Sequence, residues 1–488
     1  MQVALCSTEA VPFAKTGGMA DVVGALPRAL KTQGVECMVI MPFYSSLLEK
    51  GYDFKLVKGG LNVPMNDYQE EFYDLLECNH QGIRFLFIKN DNFFNRNHIY
   101  GTPRGDYRDN PIRFGFFCKA ILAALEELNL APDIIHLNDY HCALVSLYLH
   151  QIRSLNLPGK EFFDQTATVF TIHNLAYQGI YGRQVLDMIG VGQQYFSMDR
   201  LEFYGSVNFM KGGIIFSDKI TTVSPTYSRE ILTPRYGEKL EGILKSRKKD
   251  LTGIVNGIDY SLWDPENDNS LCTNYGRDDL KGKDQCKKHL LNNYFNHGSS
   301  RAPLVGVVSR LSAQKGMDLI GQSLDKIIGM GFFMVVLGTG DHSYQKLLQD
   351  YQAKYKGNLS VNITYSDNLA RLIYSGCDMF LMPSKYEPCG LGQLISLRYG
   401  TVPVVRDTGG LSDTIKAVGN QQDVADGGTG FKFGEYSSSH MLKALKTALS
   451  FYGNKSLWKK IMANGMKCDF SWKASALSYK KLYISIKK

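Results

Sequence analysis

A short loop near the start of the chain has the composition of an anion-binding turn. It joins a predicted strand at residues 3–7 to a helix predicted to begin near Met19, and it contains Lys15, Gly17 and Gly18. Backbone N–H groups of glycine can approach an anion closely, and a helix N-terminus favours negative charge. The loop matches neither the Walker A pattern nor the dinucleotide-binding GxGxxG pattern. A tight strand-to-helix turn with an exposed lysine would explain it at least as well.

Two loops in the second half of the chain have a similar arrangement. Arg310 and Lys315 follow the predicted strand at residues 304–308, within the segment SRLSAQKG. Glu387 follows the predicted strand at residues 379–382 and precedes the glycine-rich turn PCGLG. Arg and Lys side chains bind diphosphates, and so do the free N–H groups at a helix start. Each loop alone could be an ordinary helix cap, but three such loops at strand ends favour a site for a phosphorylated ligand.

Histidine and acidic side chains gather at strand ends in the first half of the chain. They are His136, Asp139, His141 and His173. We predict no metal site, because the spacing of His136 and His141 is not that of a zinc-binding helix and no HExxH or CxxC motif is present. His173 directly follows the apolar segment TVFTI and is better placed to contact a ligand. A histidine satisfied within the core is the alternative.

These residues require a scaffold that brings several strand ends together. Short apolar runs rich in Val and Ile alternate with amphipathic stretches, which predicts an α/β architecture whose parallel strands are buried on both faces. Ligands of such folds bind at the carboxyl ends of the strands. Two such series predict two doubly wound domains that meet near residues 256–265. The runs lie at residues 3–7, 37–41, 83–88, 134–137, 168–172, 220–223, 253–255, 304–308, 332–337, 361–365, 379–382 and 402–405.

The composition excludes several classes of protein. The chain has 488 residues, of which 44% are hydrophobic and 21% charged, as in soluble globular proteins. Its net charge of +8 is modest, and no motif or basic stripe indicates a nucleic-acid partner. Ten cysteines without a CxxC pair predict reduced thiols, and no signal peptide or membrane-spanning run is evident. We therefore expect a cytoplasmic protein without a nucleic-acid or membrane partner.

Several motifs together resemble those of the bacterial-type glycogen synthases, which share a glycosyltransferase family with plant starch synthases. They keep the family's order along the whole chain: KTGGMADVVGALP, TVFTIHNLAYQG, TTVSPTY, GIVNGID, SRLSAQKG, YEPCGLGQ, RYGTVPVVRDTGGLSDT and DFSW. The resemblance implies an α/β GT-B fold, with two Rossmann-like domains facing a deep cleft. It implies an N-terminal acceptor domain at residues 1–255 and 472–488, whose last helix crosses back from the other domain. A C-terminal donor domain would occupy residues 256–471.

The resemblance also implies a reaction. Glucose would be transferred from ADP-glucose to the non-reducing end of an α-1,4-glucan, with retention at the anomeric carbon and release of ADP. The family requires no metal or other cofactor. Two alternatives remain open: the same fold using UDP-glucose or another acceptor, and a catalytically silent glucan-binding protein. The oligomeric state and the nature of the product, soluble glycogen or a starch-like polymer, are not determined by the sequence.

The resemblance assigns roles to individual residues by motif. Those expected to act in catalysis are Lys15, His173, Arg310, Lys315 and Glu387. Those expected to bind the donor are Gly17, Gly18, Asp139, Tyr365, Cys389, Gly390, Leu391 and Gly392, with Tyr365 stacking on adenine. Acceptor-side candidates are Glu9, Tyr100 and Asn256. A front-face reaction, in which the departing phosphate accepts the acceptor's proton, is favoured by analogy over a covalent glycosyl-enzyme route.

Three positions depart from the family's usual motifs. Gly392 replaces the Thr of EPCGLTQ, which removes a hydroxyl near the diphosphate but keeps the backbone amide. Tyr140 replaces the Trp of DWH and preserves an aromatic ring. Asn138 stands where bacterial members often have His, and its consequence does not follow from the sequence. None of the three removes a charged residue from the expected mechanism.

Overall fold

The computed structural model describes residues 1–102, 105–296 and 301–488, which divide into two α/β units. The first unit comprises Met1–Asn256 and Trp472–Lys488, and the second comprises Gly257–Ser471. The sequence predicts the boundary just before Asn256, and the structure places it just after that residue. No helix in the described ranges is long and apolar enough to cross a membrane.

The first unit contains one large sheet and two small ones. Its strands are β1 (Gln2–Cys6), β2 (Glu36–Pro42), β3 (Lys55–Asn66), β4 (Gln69–His80), β5 (Ile83–Lys89), β6 (Gly101–Thr102), β7 (Gly105–Asp106), β8 (Ile134–Asn138), β9 (Ala167–Ile172), β10 (Ile180–Gly182), β11 (Glu202–Phe203), β12 (Ser206–Asn208), β13 (Lys219–Thr222) and β14 (Leu251–Gly253). The large sheet has the order β14-β13-β9-β8-β1-β2-β5-β4-β3. Its strands are parallel except for β4 and β3, which form an antiparallel hairpin beside β5.

Helices cover the large sheet of the first unit. Up to the domain boundary they are α1 (Gly18–Thr32), α2 (Asp91–Phe94), α3 (Asn110–Glu127), α4 (Leu144–Ser154), α5 (Lys160–Phe163), α6 (Val185–Met188), α7 (Phe209–Phe216), α8 (Pro225–Glu230) and α9 (Glu241–Ser246), with short 3-10 helices at Ser45–Lys50 and Gln193–Tyr195. Helix α1 buries the apolar face formed by Val22, Val23, Leu26 and Leu30. This face has the three-to-four-residue spacing of an amphipathic helix.

The second unit is a six-stranded, fully parallel sheet between helices. Its strands are β15 (Leu304–Val308), β16 (Phe333–Leu337), β17 (Leu359–Asn362), β18 (Met379–Met382), β19 (Val402–Arg406) and β20 (Phe431–Phe433). Its helices are α10 (Lys281–Phe295), α11 (Met317–Gly329), α12 (His342–Lys354), α13 (Asp367–Gly376), α14 (Gly392–Arg398), α15 (Gly409–Thr414), α16 (Gln421–Ala425), α17 (Ser438–Gly453) and α18 (Lys455–Lys467), with a 3-10 helix at Ala313–Lys315. The strand order β17-β16-β15-β18-β19-β20 is that of a dinucleotide-binding Rossmann fold.

The last helix, α19 (Trp472–Ile486), belongs to the first unit. It packs against α1, and its Tyr483 is fully buried. The Tyr483 hydroxyl lies 2.7 Å from Nδ1 of His136, which is in the central strand β8. The end of the chain therefore completes the core of the unit that the beginning of the chain starts.

Each large sheet has one point where the chain reverses its direction of winding. In the first unit, β1 lies between β2 and β8, and in the second, β15 lies between β16 and β18. Connections leave such neighbouring strands on opposite faces of the sheet, so a crevice opens at their carboxyl ends, where α/β proteins bind ligands. The loops singled out in the sequence follow β1, β8, β15 and β18.

Candidate active site

In the second unit, the loops after β15 and β18 are joined by a partly buried ion pair. Nζ of Lys315 lies 2.8 Å from Oε1 and 2.7 Å from Oε2 of Glu387, and the two side chains are only 18% and 5% exposed. The Ser384 hydroxyl donates to the same carboxylate at 2.9 Å. The backbone amide of Lys385 donates to the carbonyl of Gln314 at 2.8 Å, which ties the two loops together. The two predicted catalytic groups thus share one fixed position at the reversal point of the sheet.

Arg310 lies on the same loop as Lys315 but in different surroundings. It is exposed, and its guanidinium donates to the side chain of Gln314 at 3.2 Å. Because Arg310 lies two residues after the end of β15, a cation is also present at the edge of the crevice. The loop after β15 therefore offers a partly buried cation, Lys315, and an exposed cation, Arg310, to an anionic ligand.

The glycine-rich turn after Glu387 is held by its own helix and by a second glycine loop. Gln393 donates to the carbonyl of Cys389 at 2.9 Å and to that of Gly390 at 3.0 Å. A Cβ on Gly410 would lie 2.0 Å from the Cys389 carbonyl oxygen, so only glycine permits this contact. Helix α14 begins at Gly392 with Leu391 as its N-cap residue. The donor-binding residues predicted between Cys389 and Gly392 thus form one rigid turn.

Side chains pack closely beneath Gly392. A Cβ at this position would lie 2.9 Å from Cε1 of Phe380 and 3.3 Å from the hydroxyl oxygen of Tyr374. Both rings are buried, and their centroids lie 4.9 Å apart. Phe380 and Tyr374 therefore fill the space that a larger residue would need.

Tyr365 lies beyond the carboxyl end of β17, directly before the N-cap residue of α13. Its side chain is 71% exposed. An exposed aromatic ring at a strand end offers a flat surface for stacking, and the adenine contact stays a prediction.

In the first unit, Glu9 organises the glycine loop. Its buried carboxylate accepts hydrogen bonds from the backbone amides of Thr16 and Gly17, the latter at 3.1 Å, and from the Thr16 hydroxyl at 2.6 Å. The Tyr100 hydroxyl also donates to this carboxylate. Glu9 therefore occupies the Gly17 amide that we expected to face the donor. Glu9 holds the loop directly, and Tyr100 supports it through its hydrogen bond to Glu9.

Lys15 and Gly18 lie at the two ends of this loop. Nζ of Lys15 is 2.8 Å from Oδ1 of Asp21, in the first turn of α1, and the Lys15 side chain is 37% exposed. Gly18 is the first residue of α1, with Gly17 as its N-cap residue. A Cβ on Gly17 would meet no atom within 4 Å, so the space beside the loop is open.

Asp139 lies at the end of β8 in an unusual backbone conformation. Its φ is 55°, in the left-handed region, and its side chain is buried. Oδ1 accepts the backbone amide of His173 at 2.8 Å. Burial raises the pKa of the Asp139 carboxyl to about 7, although the amides of His173 and Asn174 oppose the change. The structure thus brings Asp139 and His173 together at adjacent strand ends.

The ring of His173 is held by a residue to which the sequence assigns no role. Nε2 of His173 lies 2.9 Å from Oδ1 of Asn138, the last residue of β8. Burial lowers the pKa of His173 to about 3, so the imidazole is neutral at physiological pH. The ring lies at the end of β9, and its contact with a ligand stays a prediction.

The rings of His136 and His141 contact side chains of the protein. Nε2 of His136 lies 2.6 Å from the Thr171 hydroxyl, and its other ring nitrogen contacts Tyr483 of α19. His141 stacks on Tyr100 with ring centroids 4.5 Å apart. Burial lowers the pKa of both histidines to about 3. Within the described residues, no group of three His, Cys, Asp or Glu side chains is arranged to hold a metal ion.

Asn256, the remaining acceptor-side candidate, is the last residue of the first unit before the boundary. It is 6% exposed, and its side-chain oxygen accepts no hydrogen bond from the described part of the chain. A buried amide oxygen without a partner is costly, so a ligand hydroxyl would be a favourable partner for it.

Comparison with known proteins identifies the family. Residues 2–246 match the family described as starch synthase catalytic domain, and residues 293–457 match glycosyl transferases group 1. The glycogen synthase of Geotalea uraniireducens (strain Rf4) is 44% identical over 484 residues, covering 99% of this chain and 98% of that protein. The glycogen synthase of Thermotoga maritima is 44% identical over 491 residues, with the same coverage.

Solved structures give the same result. The catalytic domain of starch synthase IV from Arabidopsis thaliana, bound to ADP and acarbose, is 31% identical with a TM-score of 0.89, covering 99% of both chains. The sucrose-phosphate synthase of Thermosynechococcus elongatus shares the fold, with a TM-score of 0.60 and 17% identity over 99% of this chain and 98% of that one. These matches and the two units with parallel sheets confirm the predicted GT-B fold. The chain belongs to the glycogen and starch synthase family of glycosyltransferases.

Proposed function

We propose that this glycosyltransferase transfers glucose from ADP-glucose to the non-reducing end of an α-1,4-glucan, with retention of configuration and release of ADP. The observation that carries the proposal is the pairing of Lys315 with the buried Glu387 carboxylate at the reversal point of the second sheet. A similar protein, the starch synthase IV catalytic domain, binds ADP and acarbose, which supports a nucleotide donor and a glucan acceptor.

On the donor side, we assign the leaving diphosphate to Arg310 and Lys315. Negative charge accumulates on the diphosphate as the glycosidic bond breaks, so fixed cations stabilise the transition state more than the ground state. Glu387 would accept hydrogen bonds from the glucosyl hydroxyls. Tyr365 would stack on adenine, and sugar hydroxyls and phosphate would meet the turn formed by Cys389, Gly390, Leu391 and Gly392.

The first unit would supply further groups that hold glucosyl or acceptor hydroxyls. His173 offers a neutral ring and a backbone carbonyl, and Asp139 and Asn256 offer oxygen acceptors to hydroxyl groups. Lys15, with the Gly17-Gly18 turn, would approach the donor diphosphate. Glu9 and Tyr100 would act here by fixing the loop that carries Lys15.

Glu387 is a poor candidate for a covalent nucleophile, which favours the front-face route. Both of its carboxylate oxygens are already within 2.8 Å of the Lys315 ammonium group, and Ser384 donates to one of them. Charge pairing and hydrogen bonding of this kind lower the reactivity of the oxygen lone pairs. The departing phosphate would then accept the proton of the incoming hydroxyl. A glycosyl adduct trapped on Glu387 or another side chain would overturn this route.

We also propose that the reaction uses no metal or other cofactor, because Arg310 and Lys315 can supply the positive charge that a divalent cation supplies elsewhere.

The decisive experiment compares initial rates with ADP-glucose and UDP-glucose on one glucan primer. We expect release of nucleoside diphosphate to be faster with ADP-glucose, and we expect Lys315→Ala to abolish most of it. Lys346→Ala is the matched control, because Lys346 is 66% exposed and pairs with Asp350 on the surface of α12. A preference for UDP-glucose would support the alternative donor. Failure to turn over either donor would support a silent glucan-binding protein.

A further inference from the structure

Two consecutive residues, Asn138 at the end of β8 and Asp139 directly after it, contact His173 at different atoms. The Asp139 carboxylate accepts the backbone amide of His173 at 2.8 Å, and the Asn138 side chain contacts the His173 ring at 2.9 Å. Consecutive side chains of an extended strand point to opposite faces. The left-handed conformation of Asp139, with φ of 55°, turns the chain so that both side chains reach the same histidine.

The orientation of the Asn138 amide follows from its other contacts. Its Nδ2 lies 3.0 Å from the carbonyl oxygen of Cys6 and 3.5 Å from that of His136. Carbonyl oxygens only accept hydrogen bonds, so the NH₂ group must face them. The side-chain oxygen of Asn138 must then face the ring of His173.

This orientation determines the tautomer of the histidine. The oxygen of Asn138 is an acceptor only, so Nε2 of His173 must carry the hydrogen. The ring is neutral, because burial lowers the pKa of His173 to about 3. Nδ1 therefore keeps its lone pair, and it has no hydrogen-bond partner among the residues that the structure describes.

We propose that Asn138 is a positioning residue that holds His173 as the Nε2–H tautomer, with Nδ1 presented as a hydrogen-bond acceptor for a sugar hydroxyl. This inference rests on the proposed function for the identity of the ligand. Asn138 is itself 1% exposed and touches no ligand in this role. It acts through the orientation of the ring, as outer partners of metal-bound histidines do.

The first test is a spectroscopic measurement that needs no turnover. In wild-type protein labelled with ¹⁵N-histidine, the ring of His173 should show a solvent-protected N–H at Nε2. Loss of one ring signal in His173→Gln assigns it among the ten histidines. Asn138→Ala should expose this proton to solvent exchange and remove its signal. A wild-type proton on Nδ1, or a signal unchanged by Asn138→Ala, would overturn the proposal.

The second test is kinetic. Asn138→Ala should lower kcat with ADP-glucose by about 10- to 100-fold and leave KM for the glucan unchanged. This is the range found when outer partners of metal-bound histidines are removed. Asn90→Ala is the matched control: Asn90 is also a buried asparagine, whose amide accepts from Phe93 at 3.0 Å and donates to the Phe72 carbonyl at 2.9 Å. The control should keep both the ring signal and kcat.

The outcomes separate this inference from the proposed function. An Asn138→Ala variant that loses the ring signal but keeps the wild-type kcat would refute the positioning role, even with ADP-glucose as donor. If Asn138→Ala does not fold, the position of the ring proton in the wild-type spectrum still decides the tautomer. The position of the ring proton also decides the tautomer if the protein consumes neither ADP-glucose nor UDP-glucose.

Discussion

Replacing Asp139 by asparagine should increase the free energy of unfolding relative to wild type more at pH 8 than at pH 4. Asp139 is 7% exposed, and burial raises the pKa of its carboxyl from 3.8 to about 7. The backbone of residue 139 has a φ of 55°, a left-handed conformation that Asn adopts as readily as Asp. The substitution therefore keeps the shape of the chain and one oxygen acceptor for the His173 amide while it removes the charge.

The size of the effect follows from the two pKa values. The folded protein binds the Asp139 proton more tightly than the unfolded chain does, so the wild-type free energy of unfolding falls as the pH rises from about 4 to 7. A change in pKa from 3.8 to about 7 corresponds to about 4 kcal/mol, since each tenfold change in proton affinity is about 1.4 kcal/mol. The variant escapes this loss. Its advantage over wild type should therefore grow by up to about 4 kcal/mol between pH 4 and pH 8.

Urea unfolding of both proteins at a series of pH values measures this difference. Asp109→Asn is a control of opposite sign. Burial alone would raise the pKa of Asp109, but the hydrogen bond and charge of Arg96, 2.8 Å away, lower it overall. Asp109→Asn should therefore lose stability relative to wild type as the pH rises through the range in which Asp109 ionises. A difference between Asp139→Asn and wild type that stays constant from pH 4 to pH 8 would refute the reasoning.

Three further predictions concern the donor side. Arg310→Ala and Lys315→Ala should each lower kcat by about 10²–10³-fold. Only Lys315→Ala should also lower the free energy of unfolding, by about 3–5 kcal/mol, because it leaves the buried Glu387 carboxylate without its ion-pair partner. Superimposable urea curves for the two variants would contradict this. Gly392→Thr should lower the free energy of unfolding by about 1–3 kcal/mol, measured by thermal unfolding, because the new side chain overpacks against Phe380. Adding Phe380→Leu should restore most of this free energy, and a double variant as unstable as Gly392→Thr would exclude the clash. Dialysis against EDTA should leave the initial rate unchanged, and a rate restored only by a divalent cation would rule out metal-free transfer.

The parallel strands could be predicted because burial on both faces requires unbroken apolar runs. The run at residues 379–382 coincides with β18, whereas the run at residues 361–365 continues past the end of β17, since apolar and β-branched residues follow the last paired position. The hairpin of β3 and β4 was not predictable in this way. Its edge strand β3 contains Gly59, Gly60 and Pro64 and exposes most of its residues, so no apolar run marks it.

The charged residues of the candidate site could be predicted because they follow strands, and the topology brings strand ends together. The contacts that orient these charged residues could not be predicted from the sequence. Asn138 is a neutral residue at the end of an apolar strand, and only its neighbour Asp139 hints at a role. The hydrogen bonds from the glycine loop to Glu9 join residues seven or eight positions apart, which no periodic pattern reveals. Packing of Phe380 beneath Gly392 likewise depends on tertiary structure.

The position of helix α19 has a consequence for the order in which the chain can fold during synthesis. Domains generally fold as they leave the ribosome, the N-terminal one first. Here the first unit lacks Tyr483, the partner of the buried His136, until the whole second unit has been synthesised. The second unit, Gly257–Ser471, is one continuous segment and can complete its core without waiting for the helix. The unit that begins first on the ribosome is therefore the last that can be completed.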